Sequence, residues 1–64
     1  MYKNLKIEMI RSGLKADNIA NVLNTSMSNI YNRFHCQNFS VAEAIVVRDK
    51  LFPGIDIAYL FANE

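Results

Sequence analysis

The sequence predicts an all-α fold, a compact single domain of five helices. Apolar residues recur at spacings of three and four along most of the chain, as on the buried side of amphipathic helices. Residues that cap or end helices separate these stretches, among them Gly13, Asn24 and Ser40. No stretch alternates apolar and polar residues for long enough to predict a strand.

The first predicted helix runs from Tyr2 to Ser12 and ends at a glycine C-cap. Ile7 and Ile10 have the spacing of one buried face. Leu5 and Met9 are expected on the flank of that face.

Helices two and three are predicted to start near Ala16 and near Ser26, with Asn24 as the turn residue between them. Asn tolerates the left-handed backbone better than most non-glycine residues, and Ser is a favoured N-cap. The inner apolar residues are Ile19, Ala20 and Leu23 in helix two, and Ile30 and Phe34 in helix three. The small side chain of Ala20 should let the two helices cross closely.

The fourth helix follows the polar connection Cys36-Gln37-Asn38 and begins at a capping box formed by Ser40 and Glu43. It is predicted to end near Leu51, before Pro53-Gly54. Two apolar rows are expected to face the core: Ala44, Val47 and Leu51, and beside them Val41, Ile45 and Phe52. A short last helix, capped by Asp56, should dock through Ile57, Leu60 and Phe61.

Length and composition exclude several functional classes. A chain of 64 residues makes one small domain, which buries only roughly 60% of its unfolded surface. One Cys and one His can form neither an internal disulfide nor a zinc site, so no metal and no cofactor are expected. His35 and Cys36 lack a third group to orient them, so no catalytic residue is assigned. Without a membrane-spanning run or a signal-peptide core, a cytoplasmic location with no membrane partner is expected.

The net charge of +1 is modest but unevenly distributed. Residues 1–15 carry four basic residues against one acidic residue, hence +3, and residues 16–39 sum to zero. Residues 40–64 carry two basic residues against four acidic ones, hence −2. This asymmetry would let the first helix face phosphates while the C-terminal part faces away.

Helix three is predicted to present an outer surface that is polar but almost uncharged. Surface helices ordinarily carry Lys, Glu and Arg, whereas Arg33 is the only charged residue between Asp17 and Glu43. The side chains expected to point outward are Ser26, Met27, Ser28, Tyr31 and Asn32. Asn can pair with adenine, Ser with several base edges, and Met or Tyr can contact the thymine methyl group. The pattern alone leaves two interpretations open: a solvated surface helix, or a helix that inserts into the DNA major groove.

The segment ADNIANVLNTSMSNIYNRFH, residues 16–35, resembles the helix-turn-helix of the phage repressor and Cro family, also called Xre-type or lambda-repressor-like. That family typically has Ala where Ala20 stands, Gly where Asn24 stands, and branched aliphatics at Ile19, Leu23 and Ile30. The likeness extends to residues 4–6 and Gly13-Leu14 before the motif and to residues 48–53 and 59–61 after it, so it covers nearly the whole chain. It implies a transcriptional regulator that binds operator sites in double-stranded DNA as a homodimer, in the cytoplasm of a bacterium.

The resemblance also implies roles for individual residues. Base contacts are expected from Ser26, Met27, Ser28, Tyr31 and Asn32. Contacts to the DNA backbone are expected from Lys15, Thr25, Asn29, Arg33, His35, Gln37 and Asn38.

This chain departs from the family pattern at two places. It has Lys15-Ala16 where the family has Thr or Ser followed by Gln, so a capping oxygen is missing and the Lys charge substitutes for the Gln contact. It has His35-Cys36 where the family often has Asn-Gly, so Cys36 would be strained if it took a positive φ.

Apolar residues in the C-terminal half exceed what a core of this size is expected to bury. They are Val46, Ile55, Tyr59 and Phe61. Two interpretations stay open: these residues wrap the edges of their own core, or they form a two-fold dimer interface. A second function also stays open, a helix-turn-helix domain adapted to protein binding, as in an antirepressor or antitoxin. No small-molecule ligand is expected.

Overall fold

The computed structural model describes residues 2–62, which form five helices and no strand. The helices are α1 (Lys3–Ser12), α2 (Ala16–Leu23), α3 (Met27–Cys36), α4 (Val41–Leu51) and α5 (Ile57–Leu60). Helix α2 packs against α3 and α4, and α5 packs against α1 and α4. The predicted all-α class and the order of five helices are confirmed.

One residue in each connection between helices has a left-handed backbone. These residues are Gly13 (φ 69°), Asn24 (φ 53°), Gln37 (φ 52°) and Gly54 (φ 88°). Gly13, Asn24 and Gln37 end α1, α2 and α3, because a left-handed residue turns the chain out of the helical path. The predicted roles of Gly13 and Asn24 are confirmed.

Side-chain caps start α4 and α5 at the predicted residues. The Ser40 hydroxyl accepts the N–H of Glu43 at 3.1 Å, and the Glu43 carboxylate accepts the N–H of Ser40 at 3.0 Å. The carboxylate of Asp56 accepts the N–H of Tyr59 at 3.0 Å. Each cap satisfies backbone donors that have no partner within their own helix.

A single core collects one fully buried side chain from every helix. These side chains are Leu5, Ile19, Ile30, Val47 and Leu60. Every helix is therefore anchored, including the four-residue α5, which is too short to be stable alone.

An aromatic cluster closes the core beside the chain termini. The ring of Phe39 lies 5.4 Å from that of Tyr2, 5.6 Å from that of Phe34 and 5.5 Å from that of Phe61, measured between centroids. The hydroxyl of Tyr2 accepts the backbone N–H of Phe39 at 3.1 Å. The connection between α3 and α4 is thus held against both ends of the described chain.

The predicted buried face of α1 is wrong. Leu5 and Met9 are buried, whereas Ile7 is 36% exposed and Ile10 is 75% exposed. Both pairs have helical spacing, so periodicity alone does not separate them. The buried pair continues the row of Tyr2, which packs in the aromatic cluster.

The second apolar row predicted for α4 is also wrong. Val41 is 77% exposed and Ile45 is 41% exposed, while Ala44 and Val47 of the first row are buried. Phe52 is buried, but it follows the last helical residue with φ −133°. Its side chain therefore reaches the core from a changed backbone direction and not as a member of that row.

Candidate nucleic-acid interface

Helices α2 and α3 are joined by a turn of three residues. Asn24 takes φ 53° and ψ 51°, which ends α2. The N–H of Thr25 then donates to the carbonyl oxygen of Ala20 at 3.0 Å. The Ser26 hydroxyl accepts the N–H of Asn29 at 3.3 Å and caps α3 as predicted.

Inner side chains fix α3 against the rest of the domain. Ile19 and Ile30 are fully buried, and Ala20 and Phe34 are 5% and 6% exposed. The buried position of Ala20 agrees with its predicted place where α2 and α3 pack. The outer residues of α3 are therefore held on a well-anchored helix.

Three of the five side chains predicted to contact bases are exposed on the outer surface of α3. Ser28 and Asn32 are exposed one turn apart, and Tyr31 is 61% exposed beside them. Ser26 is exposed, but its hydroxyl serves as the cap. The prediction that Met27 points outward is wrong, because its helical position is on the side of the buried Ile30, and it packs half-buried against the core.

Thr25 and Asn29 form a polar pair at the start of α3. The Asn29 Nδ2 donates to the Thr25 Oγ1 at 2.9 Å. The pair braces the turn against the first turn of α3. Asn29 is exposed and Thr25 is half-buried, so an approaching phosphate could meet both groups from the solvent side.

Helix α2 has a cap that the sequence did not suggest. The Asn18 Oδ1 accepts the N–H of Lys15 at 2.9 Å, and the Asn18 N–H donates to the Lys15 carbonyl at 3.0 Å. Asn18 thereby satisfies the backbone N–H of the N-cap residue Lys15, while no side-chain oxygen of the N-cap residue accepts a helix N–H. The Lys15 side chain stays exposed at the N-terminus of α2.

Lys6 is a candidate contact residue that sequence analysis missed. It lines an apolar cleft of about 180 Å³ together with Met9, Ala16, Tyr31 and Phe34. The fold therefore places Lys6, an exposed residue of α1, beside Tyr31 of α3. Only the tertiary packing of α1 could reveal this, since Lys6 is one of several basic residues near the start of the chain.

Arg33 and Glu43 form a two-pronged ion pair between α3 and α4. The Arg33 Nε lies 3.0 Å from the Glu43 Oε1, and the Arg33 Nη2 donates to the Glu43 Oε2 at 3.1 Å. The Arg33 side chain is 36% exposed and that of Glu43 is 25% exposed. The sequence predicts Arg33 as a contact to the DNA backbone, but it indicates Glu43 only as part of a capping box.

The carboxylate of Glu43 is stabilised in its charged form. The backbone N–H of Ser40 donates to it and holds the pKa of Glu43 below its usual value, and the guanidinium of Arg33 acts in the same direction. Partial burial opposes these effects but does not cancel them. The ion pair is therefore charged at neutral pH.

The end of α3 differs from the expected geometry by one residue. Cys36 is the last helical residue, and the positive φ falls on Gln37 instead. The exposed thiol of Cys36 lies 3.8 Å from the Asn32 Oδ1. His35 and Asn38 are exposed, and Gln37 is half-buried.

The four residues predicted for a dimer interface are in different environments. Ile55 and Phe61 are half-buried and pack against their own core, and Val46 is half-buried on α4. Tyr59 is 40% exposed, and its phenol donates to the carboxylate of Glu8 at 3.0 Å. Ile55 and Phe61 thus pack at the edges of their own core, as the first of the two interpretations predicts.

Helix α4 also carries exposed apolar side chains that were not predicted for the interface. Val41 and Ile45 are exposed one turn apart. Val41 also borders a cleft of about 370 Å³ between the first turn of α4 and α5, where Ala58 lies on the opposite side.

Among residues 2–62, no group of three or more His, Cys, Asp and Glu side chains could hold a metal ion. Within the same range, no helix is both long and apolar enough to cross a membrane. Comparisons with protein-family models, with curated proteins and with solved structures find no match.

Proposed function

We propose that this protein is a sequence-specific DNA-binding regulator of the repressor and Cro type, with α3 as the helix that enters the major groove. The observation that carries the proposal is the α2–turn–α3 unit. It buries four side chains inward while an almost uncharged polar row, Ser28, Tyr31 and Asn32, faces solvent. A helix that packs against another helix in this way can place its polar face in the DNA major groove.

Ser28 and Asn32 are the side chains best placed to read bases, because they share one exposed ridge of α3. Asn offers a donor and an acceptor that match the major-groove edge of adenine, and Ser can pair with several bases. Tyr31 lies on the flank next to Lys6 and could contact a thymine methyl group. Ser26 acts mainly by capping α3.

Contacts to the DNA backbone would come from both ends of this unit. Lys15 at the start of α2 and Lys6 beside it provide positive charge on one side. Thr25, Asn29, Arg33, His35 and Asn38 provide polar or basic groups along the turn and the end of α3. Phosphate contacts of this kind fix the register of a helix in the groove without specifying sequence.

Two-fold association would let a chain of this size bind two half-sites. The C-terminal half is the proposed interface, since it carries negative charge that suits a face directed away from DNA. Exposed Val41 and Ile45 join Val46 and Tyr59 as the apolar groups available there. Sedimentation at rising concentration, with and without DNA, tests this: a strict monomer that binds DNA one to one contradicts it.

The test of DNA binding starts from a pool of random double-stranded DNA. Repeated selection by the purified protein should enrich one sequence motif, and the affinity for that motif should exceed the affinity for scrambled DNA. Binding should also weaken steeply as salt rises, since phosphate contacts release counterions. A pool that stays random after selection contradicts the proposal.

Protein binding by the same unit is the second candidate. The net charge of only +1 and the exposed Ile10 and Val41 favour it. A contact dominated by apolar groups depends little on salt, unlike phosphate binding. A protein of this second kind would leave the random DNA pool unselected at every salt concentration, which separates the two functions.

A further inference from the structure

We infer that Glu43 is a positioning residue for DNA binding, an inference that rests on the function proposed above. By binding one edge of the Arg33 guanidinium, Glu43 orients the other edge toward a DNA phosphate at the junction of α3 and α4. Glu43 itself has no contact with DNA in this scheme. Its effect on affinity passes through Arg33.

The hydrogen bonds leave one edge of the guanidinium free. Nε and Nη2 of Arg33 are both engaged by the Glu43 carboxylate. Within residues 2–62, Nη1 of Arg33 donates no hydrogen bond. A guanidinium is planar and rigid, so fixing one edge also fixes the direction of the opposite edge.

Glu43 is itself fixed, which makes it a suitable support. Its Oε1 accepts the N–H of Ser40 at 3.0 Å as part of the cap of α4. The carboxylate therefore has a defined position relative to α4, independent of Arg33. An Arg side chain that is already ordered loses less conformational entropy when it binds a partner.

Arg33 lies on α3 among residues that are candidates for phosphate contact. Arg33 follows Asn29 by one helical turn on the same side of α3, and Asn29 is exposed. His35 and Asn38 are exposed in the same part of the chain. With 36% of its side chain accessible, Arg33 can be reached from solvent while it stays bound to Glu43.

The decisive experiment is a double-mutant cycle of Glu43→Gln and Arg33→Ala, measured as affinity for the selected DNA. Gln can replace Glu in a capping box, so Glu43→Gln removes the ion pair while keeping an acceptor for Ser40. Asp17→Asn is the charge-matched control, because Asp17 is an exposed carboxylate on α2. Melting curves of all variants show whether each remains folded.

With Arg33 present, Glu43→Gln should weaken binding about tenfold relative to Asp17→Asn. In a protein that also carries Arg33→Ala, Glu43→Gln and Asp17→Asn should change the affinity for DNA equally. Arg33→Ala alone should lower the slope of log affinity against log salt by about 0.9, the value for removal of a single phosphate interaction. If Glu43→Gln strengthens binding beyond the control, Glu43 competes with phosphate for Arg33 and the inference is overturned.

Equal effects of Glu43→Gln and Asp17→Asn in the presence of Arg33 also overturn the inference, without touching the proposed function. A wild-type protein that binds no DNA overturns both. Should Glu43→Gln fail to fold, Arg33→Lys replaces it in the test. Lys keeps the charge but cannot form the two-donor fork, so binding should again weaken, and unchanged affinity would contradict the positioning role.

Discussion

The phenol of Tyr59 donates a hydrogen bond to the Glu8 Oε2 at 3.0 Å, which joins α5 to α1 across 51 positions of the chain. The carbonyl oxygen of Tyr59 also accepts the Asn4 Nδ2 at 2.9 Å. Glu8 lies 3.5 Å from Arg11 and is only 8% exposed. The short last helix is thus held to the first by polar contacts at the edge of the core.

Tyr59→Phe should lower the melting temperature, because it removes the donor and leaves the Glu8 carboxylate with one partner fewer. Tyr31→Phe is the matched control, since the Tyr31 ring is 61% exposed and its hydroxyl has no partner within residues 2–62. Thermal melts followed by circular dichroism check this. Equal melting temperatures for Tyr59→Phe and wild type would show that the hydrogen bond does not stabilise the fold.

The same bond predicts a loss of stability at alkaline pH. The hydrogen bond to Glu8 raises the pKa of Tyr59 above its usual value of 10.0. The stability that this hydrogen bond contributes is therefore complete below pH 10.0. It is lost as pH rises through the raised pKa of Tyr59 in the folded state. Denaturant unfolding at increasing pH should show this loss in wild type and not in Tyr59→Phe.

Ala20→Leu should destabilise the fold by about 1 to 3 kcal/mol, because a larger side chain overpacks the contact between α2 and α3. Asn21→Leu introduces the same side chain at the adjacent exposed position and should change stability by less than about 0.5 kcal/mol. Denaturant unfolding of both variants measures the difference. Equal stabilities would place Ala20 outside the helix contact.

Asn24→Val should lower the stability of the fold, whereas Asn24→Gly should not. Asn24 has φ 53°, which Gly adopts freely, so Asn24→Gly should leave stability unchanged or raise it slightly. Val places a branched Cβ in the same conformation and should cost about 1 to 2 kcal/mol. A lower free energy of unfolding for Asn24→Val than for Asn24→Gly supports the left-handed turn. An Asn24→Val variant as stable as wild type contradicts it.

Asn32→Ala and Ser28→Ala should weaken binding to the selected DNA while the melting temperature stays near that of wild type. Both side chains are exposed on α3, and removing either base-reading group should cost about 1 to 3 kcal/mol of binding free energy. Asn21→Ala, at an exposed residue of α2, serves as control. Equal weakening on selected and scrambled DNA would mean that these residues do not read sequence.

Glu43 should make the fold sensitive to acid. Its pKa lies below the usual value of 4.5, so the stability it contributes is present above pH 4.5 and is lost as pH falls through the lowered pKa. Glu43→Gln has no such titration and should show a shallower fall in stability below pH 4.5. Parallel pH profiles of the two proteins would indicate that the charged carboxylate of Glu43 adds no stability to the folded state.

Local signals predicted the helices well because they depend on adjacent residues. Ser26, Ser40 and Asp56 cap helices by hydrogen bonds to residues three positions ahead, and Gly13 and Asn24 end them. The sequence contains both members of each of these contacts within one turn. The predicted bounds of α2 to α4 therefore agree closely with the structure.

Contacts between distant residues were harder to predict. Two rows of α1 have equally good spacing, and only its packing decides that Leu5 is buried and Ile10 is exposed. The proximity of Lys6 to Tyr31, and the ion pair of Arg33 with Glu43, depend on how the helices are arranged in space. Helical periodicity identifies a side of a helix but not its neighbour.

The short connections between the helices have a consequence for how the chain folds. Three to five residues separate successive helices, so neighbouring helices can meet after closing only small loops. Small helical domains with mostly local contacts fold in microseconds to milliseconds. The bonds of α5 to α1, Tyr59 with Glu8 among them, must instead bring together the two ends of the chain. We therefore expect α2, α3 and α4 to associate first and the α1–α5 contact to form late in folding.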